Sequence, residues 1–283
     1  MITIVPGLSR SILLFASALW MVLCCTGYSA QAQDASVWAQ DNHSAVRLVA
    51  GSRSGPVLLG GIVFRLDPGW KTYWRMPGDS GIPPQFDFSA SDNVEAVTVL
   101  WPAPVKFPDG AGGQSLGYVK QVVLPLRIVA KSSDKPVTLR AKVHYAICEK
   151  MCVPVEAKVE LPFTSVASTE DTTLAAALDS VPKPAKVGDP LPLSVIDVRR
   201  DRPDRVLVDV TGADAQDSDL YVEGPTPDWA LPIPARVKDA PNGIARFAFE
   251  LDGLPPGASA DGAALKFTLV GHGKAYEFNV TLN

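Results

Sequence analysis

Val137-Thr-Leu-Arg-Ala-Lys-Val-His-Tyr-Ala-Ile-Cys-Glu-Lys-Met-Cys-Val-Pro-Val-Glu-Ala-Lys-Val-Glu-Leu161 reads as two strands with a cysteine pair between them. Val137, Leu139, Ala141, Val143 and Tyr145 alternate with Thr138, Arg140, Lys142 and His144. Val155, Ala157, Val159 and Leu161 alternate in the same way with Glu156, Lys158 and Glu160. A period of two puts the apolar set on one face, as in half-buried antiparallel strands. The spacing predicts a hairpin-like pair with the cysteine segment as its connection.

Working outward, the pattern stays strand-like. Residues 46–49, 57–66, 97–101 and 122–129 are β-branched-rich runs bounded by Pro, Gly, Asp and Ser clusters. Beyond residue 190, short strands are expected at 193–198, 205–210, 219–222, 245–251, 264–270 and 275–282. One helix is expected over 168–178. Ser168-Thr-Glu-Asp171 suits a helix start, and Leu174-Ala-Ala-Ala-Leu178 is a strong helix former. Val181-Pro-Lys-Pro-Ala-Lys-Val-Gly-Asp-Pro190 reads as a linker. Many short strands without alternating helices predict an all-β fold of two β-sandwich domains. They are expected at 33–167 and 191–283, with helix and linker at 168–190.

Residues 1–32 read as a secretory signal. Arg10 gives a positive start, 12–25 form a 14-residue apolar core, and Ala30-Gln-Ala32 offers a small-x-small cleavage site. That core is short for a membrane span. Val22 and Leu23 are too bulky for lipidation at Cys24 or Cys25. Of 26 basic residues, loss of Arg10 leaves 25 against 30 acidic, a net charge of −5. This argues against a nucleic-acid or anionic-membrane surface. The expected product is periplasmic, in an oxidising space where a disulfide persists.

Cys148 and Cys152 are the cysteines left after the leader. As a staple, a disulfide closing a five-residue loop contributes only about 2 kcal/mol in the chain-entropy picture. Close spacing suits exchange, in which one sulfur attacks and the other resolves. A third reading takes His144, Cys148 and Cys152 as ligands for copper or zinc, with Met76 and Met151 as soft donors. In that reading the chain is a binding module for a protein partner or copper. Lys150 favours a thiolate and Glu149 opposes it, so the residues leave the direction of the thiol pKa open.

Gly69-Trp-Lys-Thr-Tyr-Trp-Arg-Met-Pro-Gly-Asp-Ser-Gly-Ile-Pro83, Trp101-Pro-Ala-Pro104, Leu116-Gly-Tyr118, Val123-Leu-Pro-Leu126 and Tyr145-Ala-Ile-Cys-Glu-Lys-Met-Cys-Val-Pro154 occur in that order. The set resembles the N-terminal periplasmic domain of DsbD-type thiol:disulfide interchange proteins, and more closely the ScsB-like branch. It covers about residues 40–165. The resemblance implies an immunoglobulin-like sandwich with an exposed cysteine pair, Cys148 and Cys152, and no organic cofactor. It also implies a thiol-disulfide oxidoreductase acting on exported thioredoxin-fold partners, fed by a membrane electron conduit. Cys152 would be the exchanging sulfur and Cys148 the resolving one. A cap loop is expected at Pro108-Asp-Gly-Ala-Gly-Gly-Gln-Ser-Leu-Gly-Tyr118, with Gly113, Leu116 and Tyr118 as gating candidates. Two departures from the family pattern are the three-residue cysteine spacing and the end at Asn283. The latter leads us to expect a separate membrane electron donor.

Other leads are weaker. Gly78-Asp-Ser-Gly81 is reminiscent of a serine-protease nucleophile, but only His43 lies upstream, in the wrong context. It reads instead as a turn, with Asp79 bonding its own backbone. Gly110-Ala-Gly-Gly113 lacks the Lys-Ser/Thr of a phosphate loop. Trp70, Tyr73 and Trp74 are expected in core or cap packing.

Overall fold

The structure is a computed structural model and describes residues 1–3, 33–53 and 55–283. The signal segment, its cleavage site, Cys24 and Cys25 lie outside the described residues, apart from residues 1–3. Residues Ala32–Asn283 cluster as one compact unit.

The first half runs β1 (Ala39–Gln40), β2 (Ser44–Ala50), β3 (Val57–Leu66), β4 (Lys71–Gly78), β5 (Gln85–Asp87), β6 (Val94–Val99), β7 (Val105–Pro108), β8 (Gln114–Val119), β9 (Gln121–Ala130), β10 (Val137–Cys148) and β11 (Cys152–Phe163). They form a five-stranded sheet, β1-β2-β3-β9-β6, and a six-stranded sheet, β11-β10-β4-β8-β7, with β5 paired to β10. Alternation along each strand turns one face inward. Phe64, Leu126 and Ile128 of the first sheet meet Trp74, Leu116 and Leu139 of the second in one core. Burying a side chain of that kind contributes about 1.5–3 kcal/mol.

The second half follows α1 (Asp171–Asp179) with β12 (Lys183–Ala185), β13 (Leu193–Arg202), β14 (Arg205–Gly212), β15 (Asp219–Glu223), β16 (Ala235–Val237), β17 (Ile244–Glu250), β18 (Ala264–Gly271) and β19 (Lys274–Thr281). Two four-stranded sheets, β12-β19-β18-β15 and β13-β14-β17-β16, share a second core around Val208, Phe247, Phe267 and Phe278. The all-β sandwich expectation holds.

Several details differ from the sequence reading. The helix begins at Asp171 rather than 168, because the preceding residues are held by the first half. Ser168 Oγ donates to the Ala50 carbonyl at 2.6 Å, and the Thr169 amide donates to Asp34 at 2.8 Å. Leu174 packs on Val49 and Val63. It lies so close to β3 that a Cβ at Gly61 would sit 3.0 Å from it. Part of the expected linker is strand β12, parallel to β19. The strand expected at 97–101 is β6 and ends at Val99. Strands β4, β7 and β8 are hidden in sequence by their Pro or Gly, and β5 by its three-residue length.

Candidate functional site

Strands β10 and β11 pair in unbroken register from Val137↔Phe163 to Cys148↔Cys152. Pro154 has no N–H, so the Ala146↔Pro154 pair cannot exchange two backbone hydrogen bonds. Two residues on, Cys148↔Cys152 falls on the same non-hydrogen-bonded kind of pair, where facing Cα atoms come closest. The Cα–Cα distance is 4.1 Å, and the sulfurs are bonded at 2.01 Å. Register thus delivers the disulfide to the hairpin's end, closed by Glu149-Lys150-Met151.

The two sulfurs live in different surroundings. Cys148 is 3% exposed and packs in a small cluster with Tyr73, Ala146 and Phe107. Cys152 is exposed. The Tyr73 hydroxyl donates to Cys148 Sγ at 2.8 Å and lies 3.3 Å from Cys152 Sγ. Burial, aided by the nearby Asp109 charge, raises the Tyr73 pKa, so the phenol stays a donor. Phe107 lies beside Tyr73, with ring centroids 6.5 Å apart. Lys71 Nζ sits 4.8 Å over the Phe107 ring and donates to the Pro108 carbonyl at 3.4 Å.

Gly81 explains the Gly78-Asp-Ser-Gly81 turn. Its φ is +131°, and a Cβ there would sit 2.3 Å from Tyr73 Cδ1. The turn therefore lies directly on the ring that touches the sulfurs. Ser80 Oγ donates to Asp109 at 3.3 Å and lies 3.1 Å from Ser115 Oγ, with no histidine among its hydrogen-bond partners. His43 is occupied elsewhere, stacked on Trp70 and 3.2 Å from Asp67. Asp79 reaches across to accept the Gln114 amide at 2.8 Å rather than bonding its own turn.

Three expectations need correction. Leu116 and Tyr118 are not in a mobile cap but on strand β8. Both are buried in the main core, and Tyr118 Oη donates to the Pro102 carbonyl at 2.8 Å. Alternation on a paired strand turned them inward. Gly113 does lie in the connecting loop, but that loop is pinned: Asp109 accepts the Ala111 and Gly113 amides at 2.8 and 2.9 Å. The residue that packs on the cluster around Cys148 is Phe107, one position before the stretch singled out in sequence. The metal set also separates. His144 lies four residues back along an extended strand from Cys148, about 13 Å at strand rise, and faces Glu156 at 3.6 Å. Among the described residues no three His, Cys, Asp or Glu side chains are grouped to hold a metal.

Sequence reasoning expected Tyr73 in core or cap packing without tying it to the cysteines, and missed Phe107. Both sit within or beside quoted motifs, but nothing local links them to a cysteine 41 or more positions away. On either side of Cys152, Met151 is 77% exposed and Val153 39%. A groove lined by Ile82, Pro83, Ala146, Pro154 and Val155 runs down the hairpin from there, with His144 and Glu156 also on its wall.

Fold and site together define a β-sandwich protein with a half-covered disulfide at a hairpin end. Residues 43–164 match the family model for the N-terminal region of the thiol:disulfide interchange protein DsbD. That stretch is similar to a DsbD-type N-terminal domain. The fold is similar to the crystal structure of the N-terminal periplasmic domain of ScsB from Proteus mirabilis. The TM-score is 0.73 at 23% identity, covering 89% of this chain and 99% of that one. The yeast GGA1 GAE domain also aligns, at TM-score 0.27 and 13% identity over 46% of this chain and all of that one, too low to carry an argument. No curated protein sequence matches the chain. No helix among the described residues is long and apolar enough to cross a membrane.

Proposed function

We propose that this is an exported thiol-disulfide exchange protein, carrying two electrons on the Cys148/Cys152 pair to or from thioredoxin-fold partners in the periplasm. The observation that carries the reading is the asymmetry of the pair: one cysteine exposed at the hairpin's end, the other buried in a cluster with Tyr73 and Phe107. Such a pair can present one sulfur to a partner while holding the other in reserve. The family match over residues 43–164 supports the same chemistry.

In the reduced form, the Cys152 thiolate attacks one sulfur of the partner's disulfide. A mixed disulfide forms, and the partner's other sulfur leaves as thiolate. The Cys148 thiolate then attacks Cys152 Sγ, closing the intramolecular disulfide and releasing the partner's second sulfur. Two electrons pass to the partner, and its thiolates take up the two protons lost from the cysteines. The Tyr73 hydroxyl, in contact with both sulfurs, stabilises negative charge on either as it leaves or attacks. Reduction of the pair runs the same steps backwards, with a membrane electron conduit as the expected donor.

The test is a redox titration of the processed protein in glutathione buffers, read by thiol alkylation and intact mass. A reversible two-electron transition at about −180 to −300 mV is expected. A pair that stays oxidised well below about −300 mV would be a structural staple, and the reading would fail.

A further inference from the structure

The strands that carry Tyr73 and Phe107, the rings packed around Cys148, are also the strands gripped by the second half of the chain. Two residues after Tyr73 on β4, Arg75 donates from Nε to Glu223 at 2.9 and 3.1 Å and from Nη2 at 2.8 Å, and its Nη2 also bonds Glu277. Glu223 ends β15 and Glu277 lies on β19, both in the second half. The Arg75 guanidinium is mostly buried and lies 4.4 Å over the Trp74 ring, and Trp74 in turn packs on Tyr221 at 5.9 Å.

Strand β7 has a single sheet neighbour, β8, so it is the free edge of its sheet. Its Lys106, adjacent to Phe107, forms an ion pair with Asp219 at the start of β15. An edge strand of four residues has few hydrogen bonds to hold it, so an outside tether weighs heavily on its position. The second half therefore touches both covering strands, one residue from Phe107 and two from Tyr73.

We propose that the second half is a brace that sets how often Phe107 and Tyr73 uncover the disulfide, with Lys106 and Arg75 as the positioning residues. This rests on the exchange reading above. The brace adds no group to the chemistry. It shifts the balance between a covered pair, protected from stray thiols, and an open pair available to a docked partner. A partner that competes for Asp219 or Lys106 would open the cover as it binds.

The experiment measures reduction of the disulfide by dithiothreitol, quenched by alkylation and read by intact mass, in the processed protein. Four forms are compared: wild type, Asp219→Ala, Phe107→Ala and the double variant. Asp219→Ala should speed reduction about two- to fivefold, the scale of one partly exposed ion pair. Phe107→Ala should speed it more, and the double variant should match Phe107→Ala alone, because the brace acts only through the cover. Asp219→Glu should restore the wild-type rate, which a merely structural loss would not predict. A wild-type rate in Asp219→Ala, or two effects that multiply in the double variant, would overturn the brace. Glu277→Gln gives a second route to the same comparison on β4. If neither wild type nor Phe107→Ala is reduced at all, the exchange reading fails instead.

Discussion

Two hairpins in this molecule close in different ways. Strands β18 and β19 pair from Ala264↔Thr281 to Gly271↔Lys274 and turn through His272 and Gly273, with Gly273 at φ +66° and both turn residues exposed. No covalent link holds that end. Strands β10 and β11 pair over twelve positions and end in a disulfide under Tyr73 and Phe107. The longer hairpin, with more pairs to hold its register, is the one that carries the bridge. If stability were the purpose, the bridge would be better placed to join distant strands. Its position at an already secured end, with one sulfur exposed, fits exchange.

The largest expected effect breaks that comparison outright. Cys152→Ser should abolish exchange with a disulfide-bearing thioredoxin-fold protein while costing at most about 2 kcal/mol of stability. Mixed-disulfide trapping and thermal melting read the two quantities separately. A variant that still exchanges at the wild-type rate would remove Cys152 from the chemistry. One that fails to fold would make the pair a staple.

A smaller effect is expected from the turn under the cover. Gly81→Ala places a methyl group where Tyr73 now lies and adopts a φ that L-residues avoid, at a cost of roughly 1–3 kcal/mol. The ring must leave the sulfurs, so reduction by a small thiol should accelerate alongside the loss in melting temperature. If the variant melts lower but reacts at the wild-type rate, Tyr73 does not guard the pair.

The smallest effect tests what the second half uses in place of a bridge. Asp209, on β14, accepts from Arg246 Nε at 2.6 Å and Nη2 at 2.8 Å, and from Arg199 at 3.1 Å. The Arg246 hydrogen bond, outweighing the opposing effect of burial, holds its carboxyl below the usual range. A depressed folded pKa means this stabilisation is complete above about pH 4, the unfolded value, and is lost as pH falls through the folded one. Asp209→Asn should therefore melt lower than wild type at neutral pH and lose less on acidification, with exchange unchanged. An acid limb identical to wild type would show that Asp209 contributes nothing to it.

Much of this molecule was legible in the order of its residues. Alternation in 137–145 and 155–161 gives the β10–β11 hairpin, because a period of two on a half-buried strand leaves one choice of inward face. The same register carries Cys148 opposite Cys152, so the pair was visible as a local feature. The cover was not. Leu116 and Tyr118 sit in a glycine-rich stretch that resembles a loop, and only pairing with β4 and β7 makes it a strand and turns both residues into the core. Tyr73 reaches the sulfurs, and Phe107 packs beside it, because β4 and β7 lie on either side of β8, a neighbourhood set by sheet order. The grip of Glu223 and Glu277 on Arg75 spans 148 and 202 positions in the chain. Local sequence fixes strands, faces and register because those depend on near neighbours. Which ring covers which sulfur, and which carboxylate holds which strand, depends on how sheets stack, and distant residues meet only then.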